Sequence, residues 1–200
     1  YGAGAYRAAL DLELSKRPAF SSIDFIRDWH REPDLIDGWI STAQLGLDRF
    51  SAVERERVHV LFSAHSIPVS VTEGRDPYRD QVTETAAAVA RGLSLSDSRW
   101  QVVYQSAPAR AERPWLGPNP VDVLRLLSCR RGVDVTLRVL VVPIGFVIEN
   151  LETLYDLDVE LKETAASLDI GLERAPALNA DPALVAALAG AVNDPDRFGG

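Results

Sequence analysis

The feature that most constrains the fold is an alternation of strand-like and helix-like segments that begins near residue 57. Three short runs, at 58–64, 100–106 and 137–147, are apolar, rich in β-branched residues and continuous. Such runs are typical of strands that are buried on both faces of a parallel sheet. Because helical patterns separate them, the sequence predicts an α/β domain with a parallel, right-handed wound sheet.

Proline and glycine mark the ends of the predicted helices. Asp76-Pro77, Asn119-Pro120 and Asp181-Pro182 each place a good N-cap residue before a proline at the first helical position. Gly92 and Gly132 lie where the first two of these helices are expected to stop.

Residues 1–55 follow a different pattern, with helical segments expected at 5–17 and 35–50 and a short strand near 21–29. We interpret 1–55 as the C-terminal remnant of a preceding domain plus connecting helices. The sheet domain is expected to span 56–193 and to be followed by a frayed tail, 194–200. The chain starts without methionine and enters a helical pattern at once, as expected for a fragment.

Composition excludes several classes of protein. The formal net charge of −8 argues against nucleic acid as a partner, because phosphate binding needs a basic surface. Cys129 is the only cysteine, so the chain has no internal disulfide and no cluster built on several of its own thiolates. A single cysteine is consistent with the reducing cytoplasm. No apolar run approaches the roughly 20 residues of a transmembrane helix, so none is expected.

The candidate ligand-binding residues follow the predicted strands, because ligands of wound sheets bind outside the carboxyl ends of the strands. The first strand is followed by His65, the second by Trp115, and the third by Phe146 and Glu152. No glycine-rich phosphate loop follows any strand. A histidine, two aromatic rings and a carboxylate would be unusual for a nucleotide site.

Three acidic residues, Glu152, Asp156 and Glu160, are spaced four residues apart. On one helix they stack along one face, where like charges destabilise the helix by roughly a few tenths of a kcal/mol per pair. The row is therefore a functional candidate, although a solvated helix face is the ordinary interpretation of such spacing.

The same segments resemble the ferrochelatase family, whose members insert ferrous iron into a porphyrin to make haem. The resemblance is carried by "LFSAHSIPVSVTEGRDPY", "YQS…PWLGP" and "VPIGFVIENLETLYDLDVE", and it extends through nearly all 200 residues. It implies a chelatase-like, Rossmann-type three-layer α/β/α fold with a parallel sheet, in a family whose full fold has two such domains. Most of the first domain would lie outside this chain.

The resemblance also implies roles for individual residues. His65 and Glu152 match the catalytic and metal-contacting pair of the family, while Asp156, Glu160 and Glu149 match acidic positions proposed to relay protons or metal. Trp115, Phe146 and Ser66 are the expected substrate-binding residues. The implied partners are a porphyrin, either protoporphyrin or coproporphyrin, and Fe2+ as substrate. No iron–sulfur cluster is expected, and transient contact with a membrane surface is compatible with the resemblance.

One departure from the family pattern concerns the residues before Glu152. The family commonly has Asp-His there, whereas this chain has Glu149-Asn150. Asparagine offers no titratable ring and no basic nitrogen. Two alternatives therefore stay open: a non-catalytic relative that binds porphyrin or haem, and a chelatase for another metal and tetrapyrrole.

Overall fold

The computed structural model describes residues 3–17, 26, 28–74, 76–130 and 136–194. Its four strands are β1 (His59–His65), β2 (Trp100–Gln105), β3 (Leu137–Val142) and β4 (Ile170–Arg174). All the pairings are parallel and the order is β2-β1-β3-β4. Helices cover both faces of this sheet, which confirms the predicted α/β class.

The helices of the described residues fall between and around these strands. They are α1 (Ala3–Ser15), α2 (Pro33–Leu47), α3 (Ala52–Arg55), α4 (Val69–Glu73), α5 (Tyr78–Gly92), α6 (Pro120–Arg130), α7 (Leu151–Leu154), α8 (Leu161–Ser167) and α9 (Pro182–Asn193). A π-helical segment, Tyr155–Glu160, joins α7 to α8. We call the continuous helix 151–167 the acidic helix.

Two of the three predicted Asx-Pro helix starts are confirmed, because α6 and α9 begin at Pro120 and Pro182. The third helix, α5, begins one residue later than predicted, at Tyr78, with Pro77 as its N-cap. The carboxylates of Asp76 and Asp181 accept the backbone N–H groups of Tyr78 at 3.0 Å and Ala183 at 2.8 Å. Asn119 accepts the N–H of Val121 at 2.8 Å. Of the two predicted stops, α5 ends at Gly92, while Gly132 lies outside the described residues.

The third predicted strand was too long, because β3 ends at Val142 rather than at residue 147. Pro143 has no N–H to donate, and the chain turns at Gly145, where a Cβ atom would lie only 2.6 Å from Cα of Ala64. The loop that follows β3 is thus pressed against β1, and this contact brings Phe146 to the end of the neighbouring strand.

Each face of the sheet has its own apolar core. One core lies between the sheet and α2, α5 and α9 and contains Trp39 and Phe62 with no exposed surface. The other lies under α6 and the acidic helix and contains Leu124 and Leu157, also fully buried. Because α2 packs against β3 and α9, residues 33–47 share the core of the sheet. The domain division at residue 55 stays a prediction.

Two other expectations fall largely outside the described residues. Of the strand expected near 21–29, residues 21–25 and 27 are not described, and Trp29 begins a short 3₁₀ helix, Trp29–Arg31. Of the expected frayed tail, only Asp194 is described. None of the helices in the described ranges is long and apolar enough to cross a membrane.

His59 gives the stability of the fold a pH dependence. Burial, with a smaller contribution from Arg99, lowers the pKa of this histidine below its usual value. The folded state therefore binds this proton more weakly than the unfolded state, and stability is lost as the pH falls below about 6.5, the ordinary histidine pKa. We expect His59→Gln to lose less stability than the unmodified chain between pH 7.5 and 5.5, measured by urea unfolding. Equal losses in both chains would contradict this expectation.

Candidate active site

The candidate site lies at the carboxyl end of the sheet, where His65 ends β1. The Nδ1 atom of His65 lies 2.5 Å from the carbonyl oxygen of Ser66, and a carbonyl can only accept a hydrogen bond. Nδ1 therefore carries a proton and donates it. In the neutral ring, Nε2 then has a free lone pair, which is the form that accepts a proton or binds a metal.

Glu152 meets His65 from the acidic helix. Its Oε1 atom lies 3.2 Å from Nε2 of His65, although the two residues are 87 positions apart in the chain. The side chains are 30% and 54% exposed, so a ligand can reach both of them. The resemblance implied only that these two residues form the family's active-site pair, and their direct contact is a finding of the structure.

The backbone and ring of His65 are held by aromatic neighbours. The hydroxyl of Tyr78 donates to the carbonyl oxygen of His65 at 2.9 Å, and burial raises the pKa of this phenol above its usual value, so the donor proton is retained. The ring of Phe146 meets the imidazole edge to face, with 6.2 Å between centroids. Tyr78 was not predicted from the sequence, because its contact depends on how α5 packs.

An aromatic pocket of about 400 Å³ opens on one side of this centre, and we name it for its lining, which includes Trp29, Trp39, Tyr78 and Phe146. His30 also contributes to the lining, and its Nε2 atom lies 2.7 Å from Glu84. Apolar, aromatic walls with few polar groups are typical of sites for small molecules and cofactors.

A second pocket, the acidic pocket, has a volume of about 250 Å³ and is lined by Gln105, Ser106, Asn119, Glu152, Asp156, Glu160 and their neighbours. The prediction that three acids share one helix face is confirmed, because all three line this pocket. The π-helical segment was not predicted. On a regular α-helix, side chains four residues apart differ in direction by about 40° around the helix axis. The wider turn of a π-helix reduces this difference, so the three carboxylates stay closer to one face.

Ser106 fixes the middle carboxylate of the row. Its hydroxyl donates to Oδ2 of Asp156, and its backbone has a φ of 62°, in the left-handed region that non-glycine residues seldom adopt. Among the described residues, no lysine or arginine pairs with Glu152, Asp156 or Glu160. The negative charge on this face of the helix is therefore left for a ligand or for water.

The other predicted residues lie at the margin of this centre. Trp115 pairs with Pro68 through an isolated antiparallel bridge, which ties the loop after β2 to the segment that follows His65. Ser66 is fully buried, and its hydroxyl donates to the carbonyl oxygen of Leu116 at 2.7 Å. The described contact of Ser66 thus joins the same two segments.

Glu149 is separated from the acidic row. Its Oε1 atom accepts a hydrogen bond from Nη1 of Arg174 at 3.0 Å, and it is not among the residues that line the acidic pocket. Arg174 ends β4, a strand that the sequence analysis missed. The only sequence signal was an arginine at the end of a short apolar run that contains a glycine.

Asn150, the departure from the family pattern, has a structural role at the start of the acidic helix. Its Oδ1 atom accepts the backbone N–H of Thr153 at 3.0 Å, which makes it the N-cap residue. We expect Asn150→Ala to cost about 1 kcal/mol in unfolding free energy, since an orphan helix donor loses its acceptor. Asn150→Asp, which keeps an acceptor, is the control. Equal unfolding free energies for the alanine variant and the unmodified chain would show that the cap contributes nothing.

Few groups in the described residues could hold a metal on their own. No group of three or more His, Cys, Asp or Glu side chains in the described ranges is arranged to bind an ion. The nitrogen of His65 and the oxygen of Glu152 are two potential ligand atoms at this site.

Comparison with known proteins agrees with the motifs. A family model described as ferrochelatase matches residues 1–195. The ferrochelatase of Deinococcus radiodurans is 37% identical over 94% of this chain and 58% of its own length. The coproporphyrin III ferrochelatase of a Geobacillus species is 34% identical over 92% and 56%, and the mitochondrial ferrochelatase of Bos taurus is 37% identical over 90% and 42%. The chain thus spans about half the length of these relatives.

Proposed function

The chain belongs to the ferrochelatase family, and on that premise we propose that its protein inserts ferrous iron into a porphyrin, protoporphyrin IX or coproporphyrin III, in haem biosynthesis. The observation that carries the proposal is the pair formed by His65 and Glu152, 3.2 Å apart, between an aromatic pocket and an acidic pocket. Because the chain spans about half of its relatives, the activity is proposed for a protein of the relatives' length, and we expect the 200-residue chain alone to be inactive.

Insertion removes two N–H protons from the pyrrole nitrogens as the iron dication takes their place. Nε2 of His65 and the carboxylate of Glu152 are the proposed proton acceptors, because imidazole and carboxylate groups both act as general bases. The hydrogen bond between them needs one proton, on Nε2 or on Oε1, so the pair takes up pyrrole protons once that proton has left. Imidazole and carboxylate are both ligands that ferrous iron accepts, so the same two groups are proposed to contact the metal while its water is displaced.

We assign the transfer of protons or metal ions between this pair and solvent to the acidic row. Asp156 and Glu160 line the acidic pocket together with Glu152, and the pocket reaches the protein surface at Glu160, which is exposed. Glu149, the remaining relay candidate, forms an ion pair with Arg174. We therefore place Glu149 beside the proposed transfer route, which begins at Glu152.

The porphyrin is proposed to contact the two aromatic residues near His65. Phe146 belongs to the aromatic pocket and touches the imidazole, and Trp115 lies on the loop that pairs with the segment after His65. Aromatic faces of this kind bind a flat macrocycle through stacking and burial. Ser66 acts on the substrate through the loop that its hydroxyl holds. We propose a cytoplasmic location, which suits a protein with one cysteine.

The deciding experiment is anaerobic incubation of the protein, at the length of its relatives, with ferrous iron and either porphyrin, followed by loss of porphyrin fluorescence. Iron-dependent turnover with one of the two porphyrins is the expected result, and the 200-residue chain serves as the comparison. Tight porphyrin binding without turnover would favour the non-catalytic relative. Turnover with another divalent metal, but not with iron, would favour the other chelatase.

A further inference from the structure

Arg174 contacts the chain on either side of Glu152, once in the loop that enters the acidic helix and once inside that helix. Its Nη1 atom donates to Glu149 at 3.0 Å, and its Nε atom donates to both carboxylate oxygens of Asp158 at 2.9 and 3.0 Å. The Arg174 side chain is only 12% exposed. A planar guanidinium that bridges two carboxylates fixes direction as well as distance, which a lysine could not do.

The two partners of Arg174 lie in different parts of the chain that presents Glu152. Glu149 is in the loop that enters the acidic helix, and Asp158 is inside its π-helical segment. Arg174 is the last residue of β4, and His65 is the last residue of β1 in the same parallel sheet. The contact therefore connects the helix to the carboxyl end of the sheet, where His65 also lies.

The acidic helix carries its acids on two faces. Asp158 turns toward Arg174 and Lys162, while Asp156 and Glu160 line the acidic pocket. Burial opposes ionisation of Asp158, but its hydrogen bonds with Arg174 and Lys162 outweigh burial and lower its pKa. Arg174 and Lys162 thereby neutralise the charge of Asp158. Their contacts fix the rotation of the helix about its axis, and this rotation turns Asp156 and Glu160 toward the acidic pocket.

A π-helical segment persists when its surroundings support it, because its hydrogen-bond geometry is less favourable than that of an α-helix. Repulsion among neighbouring acids adds to this cost. Arg174 counters both effects, since it anchors the segment through Asp158.

We infer that Arg174 is a positioning residue that holds Glu152 against His65 and keeps the acidic row aimed into its pocket. The inference rests on the proposed function, in which His65 and Glu152 take up the pyrrole protons. Arg174 touches neither the proposed reacting atoms nor the acidic row, so it acts through Glu149 and Asp158.

The test compares Arg174→Met with Arg138→Met. Arg138 also belongs to a strand and forms a partly buried ion pair, in which its Nε atom donates to Glu54 at 2.6 Å. It lies near the amino end of β3, however, whereas Arg174 lies at the carboxyl end of β4. Both variants should unfold at lower urea concentration. Only Arg174→Met should lower kcat, by tenfold or more with less than threefold change in porphyrin KM, and only it should shift the ring ¹⁵N resonances of His65.

The ring resonances can be measured on the 200-residue chain, which has only three histidines. Unshifted His65 resonances in Arg174→Met, or an equal shift in Arg138→Met, would overturn the inference. If the unmodified protein inserts no iron, the proposed function fails, yet the resonance comparison still decides the role of Arg174. If Arg174→Met does not fold, Asp158→Ala removes one of the two contacts and is compared with Arg138→Met in the same way.

Discussion

His65→Ala is expected to lower the turnover number for iron insertion by roughly 100-fold to 10,000-fold, the range typical for loss of an essential base. The reason is the tautomer: Nδ1 is committed to the carbonyl oxygen of Ser66, so Nε2 is the ring atom left to accept a proton opposite Glu152. Turnover is measured anaerobically under steady-state conditions with saturating iron and porphyrin.

The matched control is His59→Gln, which changes a histidine at the opposite end of the same strand. We expect this control to keep turnover within about twofold of the unmodified protein at pH 7.5. If His65→Ala also stays within tenfold, the proposed catalytic role of His65 is wrong.

Glu152→Gln is expected to lower turnover by about 100-fold or more, because the amide keeps the size of the side chain but cannot accept a proton as a carboxylate does. Glu163→Gln is the control, since Glu163 is exposed on the same helix and has no part in either pocket. The same steady-state assay applies to both variants.

The double variant His65→Ala with Glu152→Gln distinguishes a working pair from two independent groups. Residues that act as a unit give strongly non-additive losses, so the double variant should be little worse than the poorer single variant. A loss equal to the product of the two single losses would show that the groups act separately.

Local sequence signals were sufficient to predict the parts of this fold that depend on local chemistry. Continuous apolar runs identified β1 and β2 within about a residue at each end, and the Asx-Pro pairs located two helix starts and a third to within one residue. The rule that ligands bind at the carboxyl ends of strands then brought His65 and Glu152 into one hypothesis. These inferences need only neighbours in sequence and one topological rule.

The features that escaped prediction depend on contacts between distant segments. β4 is five residues long, lies at the sheet edge and contains Gly171, so its apolar signal is weak. The π-helical segment has no sequence signature of its own. The role of Arg174 appears only when β4, the loop before Glu152 and the acidic helix are assembled, and the buried contact of Ser66 depends likewise on the loop that contains Leu116.

The order of the strands has a consequence for how the chain acquires its site during synthesis. Every neighbouring pair of strands is parallel, so each pairing must wait for a long crossover, and such non-local contacts form slowly. The strand that supplies Arg174 is the last of the four described strands, and its described pairing is with β3. A ribosome-bound chain that stops before residue 170 could therefore pair the three strands that present His65, but its acidic helix would have no anchor at the sheet edge. Competence for the proposed chemistry would then arise only after Arg174 had emerged from the ribosome and β4 had paired with β3.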